Sequence, residues 1–141
     1  MEIKRDLLLK RLIDLRHNGM IKVVTGMRRC GKSYLLFNLF TDALKAKGVD
    51  EENIVQINLE DRRNKSLRDP DKLLAYIDSR LKDNKMYYIL LDEVQLVNEF
   101  EDVLNSYLQV KNADVYVTGS NARFLSKDVI TEFRGRGLEI R

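Results

Sequence analysis

Residues 26–33 read GMRRCGKS, which fits the phosphate-binding loop pattern G-x-x-x-x-G-K-[ST]. Such a loop turns tightly so that successive backbone N–H groups point at phosphate oxygens, and Gly26 and Gly31 tolerate the dihedral angles that this requires. Lys32 can then reach the β- and γ-phosphates, and Ser33 can offer its hydroxyl to Mg²⁺ from the positive end of the following helix. The candidate nucleotide-binding residues are Gly26, Met27, Arg28, Arg29, Cys30, Gly31, Lys32, Ser33 and Tyr34.

The segments on either side of this loop have the patterns of a strand and a helix. Residues 21–25 form a short β-branched run with a glycine on each side, which is typical of a buried strand. From Lys32 to about Lys47 the apolar residues keep helical spacing, and Gly48 supplies a C-terminal stop signal. The order strand, loop, helix is the context that a phosphate-binding loop needs.

The rest of the chain alternates between strand and helix patterns. We expect strands at 54–59, 86–91 and 115–118 and from 138 to 141, and helices at 8–15, 70–81, 98–111 and 127–133. This alternation predicts an α/β fold with a mainly parallel sheet that helices cover on both faces. Ligands then bind at the carboxyl ends of the strands.

The strand at 86–91 is apolar throughout and ends in Asp92 and Glu93. Two carboxylates at the tip of a buried strand are costly unless they serve a cation or a water molecule. We expect Asp92 to hold Mg²⁺ through its water shell. We expect Glu93 to orient or activate a water molecule that attacks the γ-phosphate.

Polar residues also follow the strand at 115–118. Ser120 and Asn121 are both candidates to hydrogen-bond the attacking water or the γ-phosphate. Further on, Arg134 or Arg136 could meet the charge that develops in the transition state, in its own site or in a neighbour's. These side chains complete the candidate catalytic set with Lys32.

Composition and charge exclude several classes of protein. The 141 residues include one cysteine and one histidine, so the chain has neither an internal disulfide framework nor the usual ligands of a structural zinc site. No apolar run approaches the roughly 20 residues of a membrane span, and the N-terminus does not read as a secretory signal. We therefore expect a cytoplasmic protein without a membrane partner. Residues 1–47 hold 11 basic and 4 acidic groups, which suits a polyanion such as a nucleotide or a nucleic acid.

Three stretches together, GMRRCGKS, YYILLDEVQ and VYVTGSNARFLS followed by RGRG, resemble the AAA+ ATPases. They are most similar to a prokaryotic group with a GxRRxGKS phosphate loop and a strand ending in LDE(V/I)Q. The resemblance implies a three-layer P-loop NTPase core with a five-stranded sheet in the order 5-1-4-3-2. It also implies that residues 26–33 are the Walker A motif and that Asp92 and Glu93 are the Walker B motif.

The same resemblance assigns roles to residues outside these two motifs. Ser120 or Asn121 would match sensor 1, and Arg136 or Arg134 would match the arginine finger, which implies a homo-oligomer. Asn58 falls where some members have a polar residue that restrains the catalytic glutamate. Members of the family continue into a helical lid and often a further domain. We therefore expect residues 1–141 to be one nucleotide-binding domain, a fragment without that lid.

The sequence thus predicts an ATP-binding protein, with ATP or ADP as ligand and Mg²⁺ as cofactor, that couples ATP hydrolysis to conformational change or to a partner. One alternative is a nucleotide-dependent switch or DNA-binding module with little turnover. Another is a small-molecule P-loop kinase, although no residue pattern specifies an acceptor. DNA or a protein remains an open partner of the full-length chain.

Overall fold

A five-stranded sheet runs through the centre of the computed structural model, which describes residues 2–25, 30–119 and 130–133. The strands are β1 (Ile21–Val24), β2 (Ile54–Asn58), β3 (Tyr87–Asp92), β4 (Ala113–Thr118) and β5 (Ile130–Phe133). Their spatial order is β2-β3-β4-β1-β5. The first four are parallel to one another, and β5 pairs with β1 in the antiparallel direction.

This sheet confirms the predicted mainly parallel α/β architecture and the order 1-4-3-2 of its four parallel strands. The strand beside β1 at the edge is formed by residues 130–133, whereas the predicted fifth strand was 138–141. The prediction of a helix over 127–133 is wrong at its C-terminal end, because residues 130–133 form the edge strand β5. Ile130 and Thr131 are β-branched and favour extended backbone, and the strand satisfies the backbone groups along the otherwise open edge of β1. The strand predicted at 138–141 lies outside the described residues.

Helices cover both faces of the sheet. They are α1 (Glu2–Asp14), α2 (Cys30–Tyr34), α3 (Thr41–Ala46), α4 (Pro70–Arg80) and α5 (Phe100–Tyr107). A π-helical turn, Leu35–Phe40, joins α2 to α3, so the predicted helix from Lys32 to about Lys47 is one continuous segment with a wider turn in its middle. Helix α5 begins after residue 98 of the predicted range 98–111, because Glu99 takes a left-handed conformation with φ 53° just before it, and the helix ends at Tyr107.

Two hydrophobic cores lie on opposite sides of the sheet. Alternate residues of β2 point to opposite faces, so Val55, Ile57 and Leu59 pack with α4 and α5 in one core, as their period-two pattern predicts. The other core lies under α1 and the α2–α3 segment, around Phe40 and Tyr116, whose ring centroids are 4.6 Å apart. Together the two layers hold the strands in a fixed register.

A buried ion pair joins β1 to β4 near the amino ends of these strands. Lys22 Nζ lies 2.7 Å from Asp114 Oδ1, and the two side chains are 0% and 4% exposed. Tyr116 donates its hydroxyl proton to the other carboxylate oxygen at 2.6 Å. Burial, followed by the neighbouring Asp114 carboxylate, raises the pKa of Tyr116 far above its ordinary value. The same two causes, in the same order, raise the pKa of Tyr88, whose hydroxyl contacts His17 Nε2.

Candidate nucleotide-binding site

The candidate site lies at the carboxyl edge of the parallel strands, where α2 follows β1. The Ser33 hydroxyl on α2 donates a hydrogen bond of 2.6 Å to Asp92 Oδ2 at the end of β3. Asp92 is 2% exposed, so it is held as the last residue of a strand whose six residues are all buried. The helix after β1 and the tip of β3 therefore meet through two side chains that the sequence predicts as metal ligands.

The second oxygen of the Asp92 carboxylate is bound by Thr118. Thr118 is fully buried at the end of β4, and its hydroxyl donates to Asp92 Oδ1 at 2.5 Å. The same Thr118 oxygen accepts the backbone N–H of Glu93 at 2.9 Å. A hydroxyl has one donor and two acceptor positions, so one threonine can fix both Asp92 and the peptide that follows it.

Glu93 leaves β3 through a sharp turn. Its backbone is left-handed, with φ 59° and ψ 52°, a conformation that is uncommon for a residue with a side chain. A 3₁₀ turn, Val94–Leu96, follows at once, and Gln95 Nε2 donates a hydrogen bond of 2.8 Å to Glu93 Oε1. Gln95 Oε1 is buried and has no hydrogen-bond partner among the described residues.

Asn58 lies at the end of β2 and pairs with Asp92 in the strand register. Its side-chain oxygen accepts the backbone N–H of Glu60 at 3.0 Å, and its backbone oxygen accepts from the Asn64 amide. Gln95 Nε2, on the same strand-to-helix connection as Glu93, donates a hydrogen bond to the Glu93 carboxylate. The expected contact of Asn58 with Glu93 stays a prediction.

The structure brings Ser33, Asp92 and Glu93 into one site and gives partial information on the remaining candidates. Cys30 begins α2, Gly31 is buried within it, and Lys32 immediately precedes Ser33. The Tyr34 side chain is 43% exposed. The candidates that lie outside the described residues are Gly26, Met27, Arg28, Arg29, Ser120, Asn121, Arg134 and Arg136.

The sequence patterns did not indicate the contacts that Thr118 and Gln95 make in this site. The β3–β4 register pairs Leu91 with Val117, so Asp92 and Thr118 come next on the two strands. A polar residue directly after the apolar run of β4 was a signal that could have found Thr118. Gln95 gives no comparable signal, because its contact depends on the left-handed turn at Glu93.

Two oxygen donors in this site could hold a hard cation. They are the Ser33 hydroxyl and the Asp92 carboxylate, in contact with each other at 2.6 Å. Within the described ranges no group of three or more His, Cys, Asp or Glu side chains could hold a metal ion. A pair of protein oxygen ligands suits Mg²⁺, which fills its other coordination positions with waters and phosphate oxygens.

Comparison with curated proteins found two relatives, both described only as uncharacterized. A protein of Haemophilus influenzae is 34% identical over 140 residues, which cover 99% of this chain and 35% of the relative. The protein MJ1544 of Methanocaldococcus jannaschii is 33% identical over 121 residues, which cover 84% of this chain and 25% of the relative. The chain therefore spans about a third and a quarter, respectively, of the relatives it matches.

No solved structure gave a significant match. In the part of the chain that the structure describes, no helix has both the length and the apolar character needed to cross a bilayer.

Comparison with family models matches residues 18–141 to a family described as "AAA domain". The matched range includes β1, residues 26–33, Asp92 and Thr118. The chain therefore belongs to the AAA domain family.

Proposed function

We propose that this chain binds ATP together with Mg²⁺ and hydrolyses it. The observation that carries the proposal is the hydrogen-bonded chain Ser33–Asp92–Thr118, with Glu93 directly beside it. It joins the helix after the phosphate-binding loop to the acidic end of β3. Membership of the AAA domain family supports nucleotide binding at this position.

The direction of the Ser33 hydrogen bond supports a metal ligand role. Because the hydroxyl proton is directed at Asp92, the lone pairs of the Ser33 oxygen remain for a cation. Asp92 would hold the water shell of the same ion, since Thr118 fixes its carboxylate. Mg²⁺ bound here would neutralise charge on the β- and γ-phosphates during transfer.

Glu93 is the residue that we assign to proton transfer. Its carboxylate would accept a proton from a water molecule as the water oxygen forms a bond to the γ-phosphorus. The bond from that phosphorus to the β–γ bridging oxygen breaks, and ADP leaves with the electron pair. Inorganic phosphate and the proton held by Glu93 complete the balance. Lys32 would stabilise the charge on the transferred phosphoryl group.

The remaining candidate roles belong to the same proposal. Ser120 or Asn121 would contact the attacking water or the γ-phosphate, and Arg134 or Arg136 would act on a neighbouring site in a homo-oligomer. We further propose that residues 1–141 are one nucleotide-binding domain of a longer protein, since the chain spans only 35% of its Haemophilus relative. The output of ATP turnover, on a protein or a DNA partner, would then depend on the other regions.

The test is phosphate release from ATP and Mg²⁺, measured beside ATP affinity in the wild type, Lys32→Ala and Glu93→Gln. We expect Lys32→Ala to weaken binding, and Glu93→Gln to bind ATP but to lose turnover by about 100-fold or more. Glu60→Gln, an exposed carboxylate at the end of β2, is the matched control and should keep turnover. Tight binding without turnover in the wild type would make the site a nucleotide switch. Equal turnover in Glu93→Gln would exclude Glu93 as the base.

A further inference from the structure

We propose that the exposed edge of β2 binds an extended, basic segment of a partner protein, which adds to the sheet as a further strand. Among the described strands, β2 ends the sheet on one side and pairs with β3 alone. An edge strand has a row of backbone N–H and C=O groups without a neighbouring strand, and such a row can pair with another chain. The inference goes beyond ATP hydrolysis and does not depend on it.

The strand register shows which backbone groups lie on this edge. Leu59 N–H, directly after β2, donates to the Asp92 carbonyl on β3 at 3.1 Å. The backbone groups of successive residues in a strand point to opposite sides, so every second residue before Leu59 also faces β3. The backbone groups of Ile54, Gln56 and Asn58 therefore point outward, along the exposed edge.

Local contacts satisfy the two ends of this edge and leave its middle open. Ile54 N–H donates to the Glu51 carbonyl, and the Asn58 carbonyl accepts the side-chain amide of Asn64 at 2.9 Å. Between them, the N–H and the carbonyl of Gln56 have no hydrogen-bond partner within the described residues. Both groups are available to an incoming strand.

The residues of β2 give this edge none of the usual protection against pairing. The strand reads IVQIN and contains no proline, glycine or charged side chain. Its register with β3 is continuous from Ile54 to Asn58, so no bulge turns the edge away. Exposed edges usually carry one of these features because they prevent pairing with other chains. The edge of β2 is therefore open to strand addition.

A groove of about 970 Å³ lies beside this edge and has room for several residues of an extended chain. Ile54 and Gln56 line it from β2, and the α2–α3 segment forms another wall. Gln56 Nε2 donates to the Phe37 carbonyl at 3.0 Å and to the Thr41 hydroxyl at 2.7 Å. These bonds hold the Gln56 side chain against the helical wall, so the side chain leaves the Gln56 backbone uncovered.

The groove is acidic, although the whole chain carries a net charge of +3. Its charged lining residues, four acidic and two basic, give a net charge of −2 and are Asp42, Asp50, Glu51, Glu52, Lys45 and Arg80. One of the two cations is engaged within the chain, since Arg80 donates to the Tyr76 hydroxyl at 3.0 Å and to the Glu52 carbonyl at 3.5 Å. A basic segment therefore complements the groove, whereas an acidic segment or a nucleic acid would be repelled.

The test is the binding of a labelled peptide of about seven residues that alternates valine and lysine, measured by fluorescence anisotropy without nucleotide. Gln56→Pro removes the outward N–H and leaves the ladder to β3 intact, which is the position where an edge strand tolerates proline. Gln56→Thr is the matched control, because it keeps the N–H and favours extended backbone. We expect similar affinity for the wild type and Gln56→Thr, and a loss of about 10-fold or more in Gln56→Pro.

Three further comparisons test the chemistry of the partner. The same peptide with glutamate in place of lysine should bind about 10-fold more weakly or worse. Glu51→Gln combined with Glu52→Gln should weaken binding of the lysine peptide by about 3-fold or more at low salt. A lysine peptide with a methyl group on every backbone nitrogen should also lose about 10-fold, which tests strand pairing without a change in the protein.

Each outcome decides one part of the inference. Equal affinity of the lysine peptide for the wild type and Gln56→Pro would overturn strand addition. If circular dichroism shows that Gln56→Pro does not fold, the N-methylated peptide decides, and its equal affinity would overturn strand addition as well. Equal binding of the glutamate peptide would overturn the basic partner, and a lysine peptide that does not bind at about 1 mM would overturn the whole inference. The proposed hydrolysis stands or falls separately, since no ATP is present.

Discussion

At the scale of single residues, the site depends on how Asp92 is held. Ser33 and Thr118 each donate to a different oxygen of this carboxylate, at 2.6 and 2.5 Å, and Asp92 is almost completely buried. A buried carboxylate needs such donors, since burial without hydrogen bonds disfavours the charged form. These two hydrogen bonds therefore hold the Asp92 carboxylate in one orientation at the end of β3.

Thr118→Val tests this directly. The change keeps the shape of the side chain but removes the donor to Asp92 and the acceptor for the Glu93 N–H. We expect the free energy of unfolding, measured in urea, to fall by about 1–3 kcal/mol. The affinity for ATP in the presence of Mg²⁺ should fall as well. Thr118→Ser keeps the hydroxyl and should recover most of both, and an equal loss in the serine variant would mean that the methyl group is what matters.

Three residues of this candidate site could be predicted from the sequence, and two could not. The loop pattern identifies Ser33, and two acids after an apolar strand identify Asp92 and Glu93, because each pattern depends on neighbours in the chain. Thr118 acts through a residue 26 positions away, and only the strand register reveals it. Gln95 reaches Glu93 because of a left-handed backbone at Glu93, which no periodicity indicates.

At the scale of secondary-structure elements, local signals predicted most helices and strands. Helix α4 begins as the sequence indicates, with Asp69 as N-cap and proline at the first helical position. Residues 130–133 were predicted as the end of a helix and form a strand, because pairing with the open edge of β1 decided their structure. Edge strands depend on such tertiary pairing more than on their own pattern.

The N-cap of α4 gives a prediction at this scale. Asp69 Oδ1 accepts the backbone N–H groups of Asp71 and Lys72 at 2.9 and 3.2 Å. Asp69→Ala should lower the free energy of unfolding by about 1 kcal/mol, as measured by chemical denaturation. Asp69→Asn retains an acceptor and should be close to the wild type. A wild-type value for the alanine variant would show that Pro70 alone starts the helix.

At the scale of the whole molecule, polar groups are buried at both edges of the sheet but in different ways. The carboxyl edge holds the candidate site, whereas Lys22, Asp114 and Tyr116 satisfy one another near the amino ends of β1 and β4. Helix α5 adds Tyr107, whose pKa is raised by burial and then by its hydrogen bond to Asp78. The core therefore contains tyrosine hydroxyls whose pKa values are raised chiefly by burial.

This arrangement predicts a loss of stability in alkali. The raised pKa of Tyr116 means that the unfolded chain releases this proton near pH 10 while the folded chain retains it. The contribution of Tyr116 to the free energy of unfolding is thus fully present below pH 10. Above pH 10 this free energy falls by about 1.4 kcal/mol per pH unit. Urea unfolding of wild type and Tyr116→Phe at pH 8, 10 and 11 measures this slope. Parallel curves for the two proteins above pH 10 would contradict the prediction.

We propose that Ser33 and Asp92 form a magnesium-dependent nucleotide site. Calorimetric titration of ATP into the wild type and Asp92→Asn, each with Mg²⁺ and with EDTA, tests this proposal. We expect Mg²⁺ to strengthen ATP binding to the wild type by about 10-fold or more and to have little effect on Asp92→Asn. ATP binding of equal strength in all four titrations would contradict it.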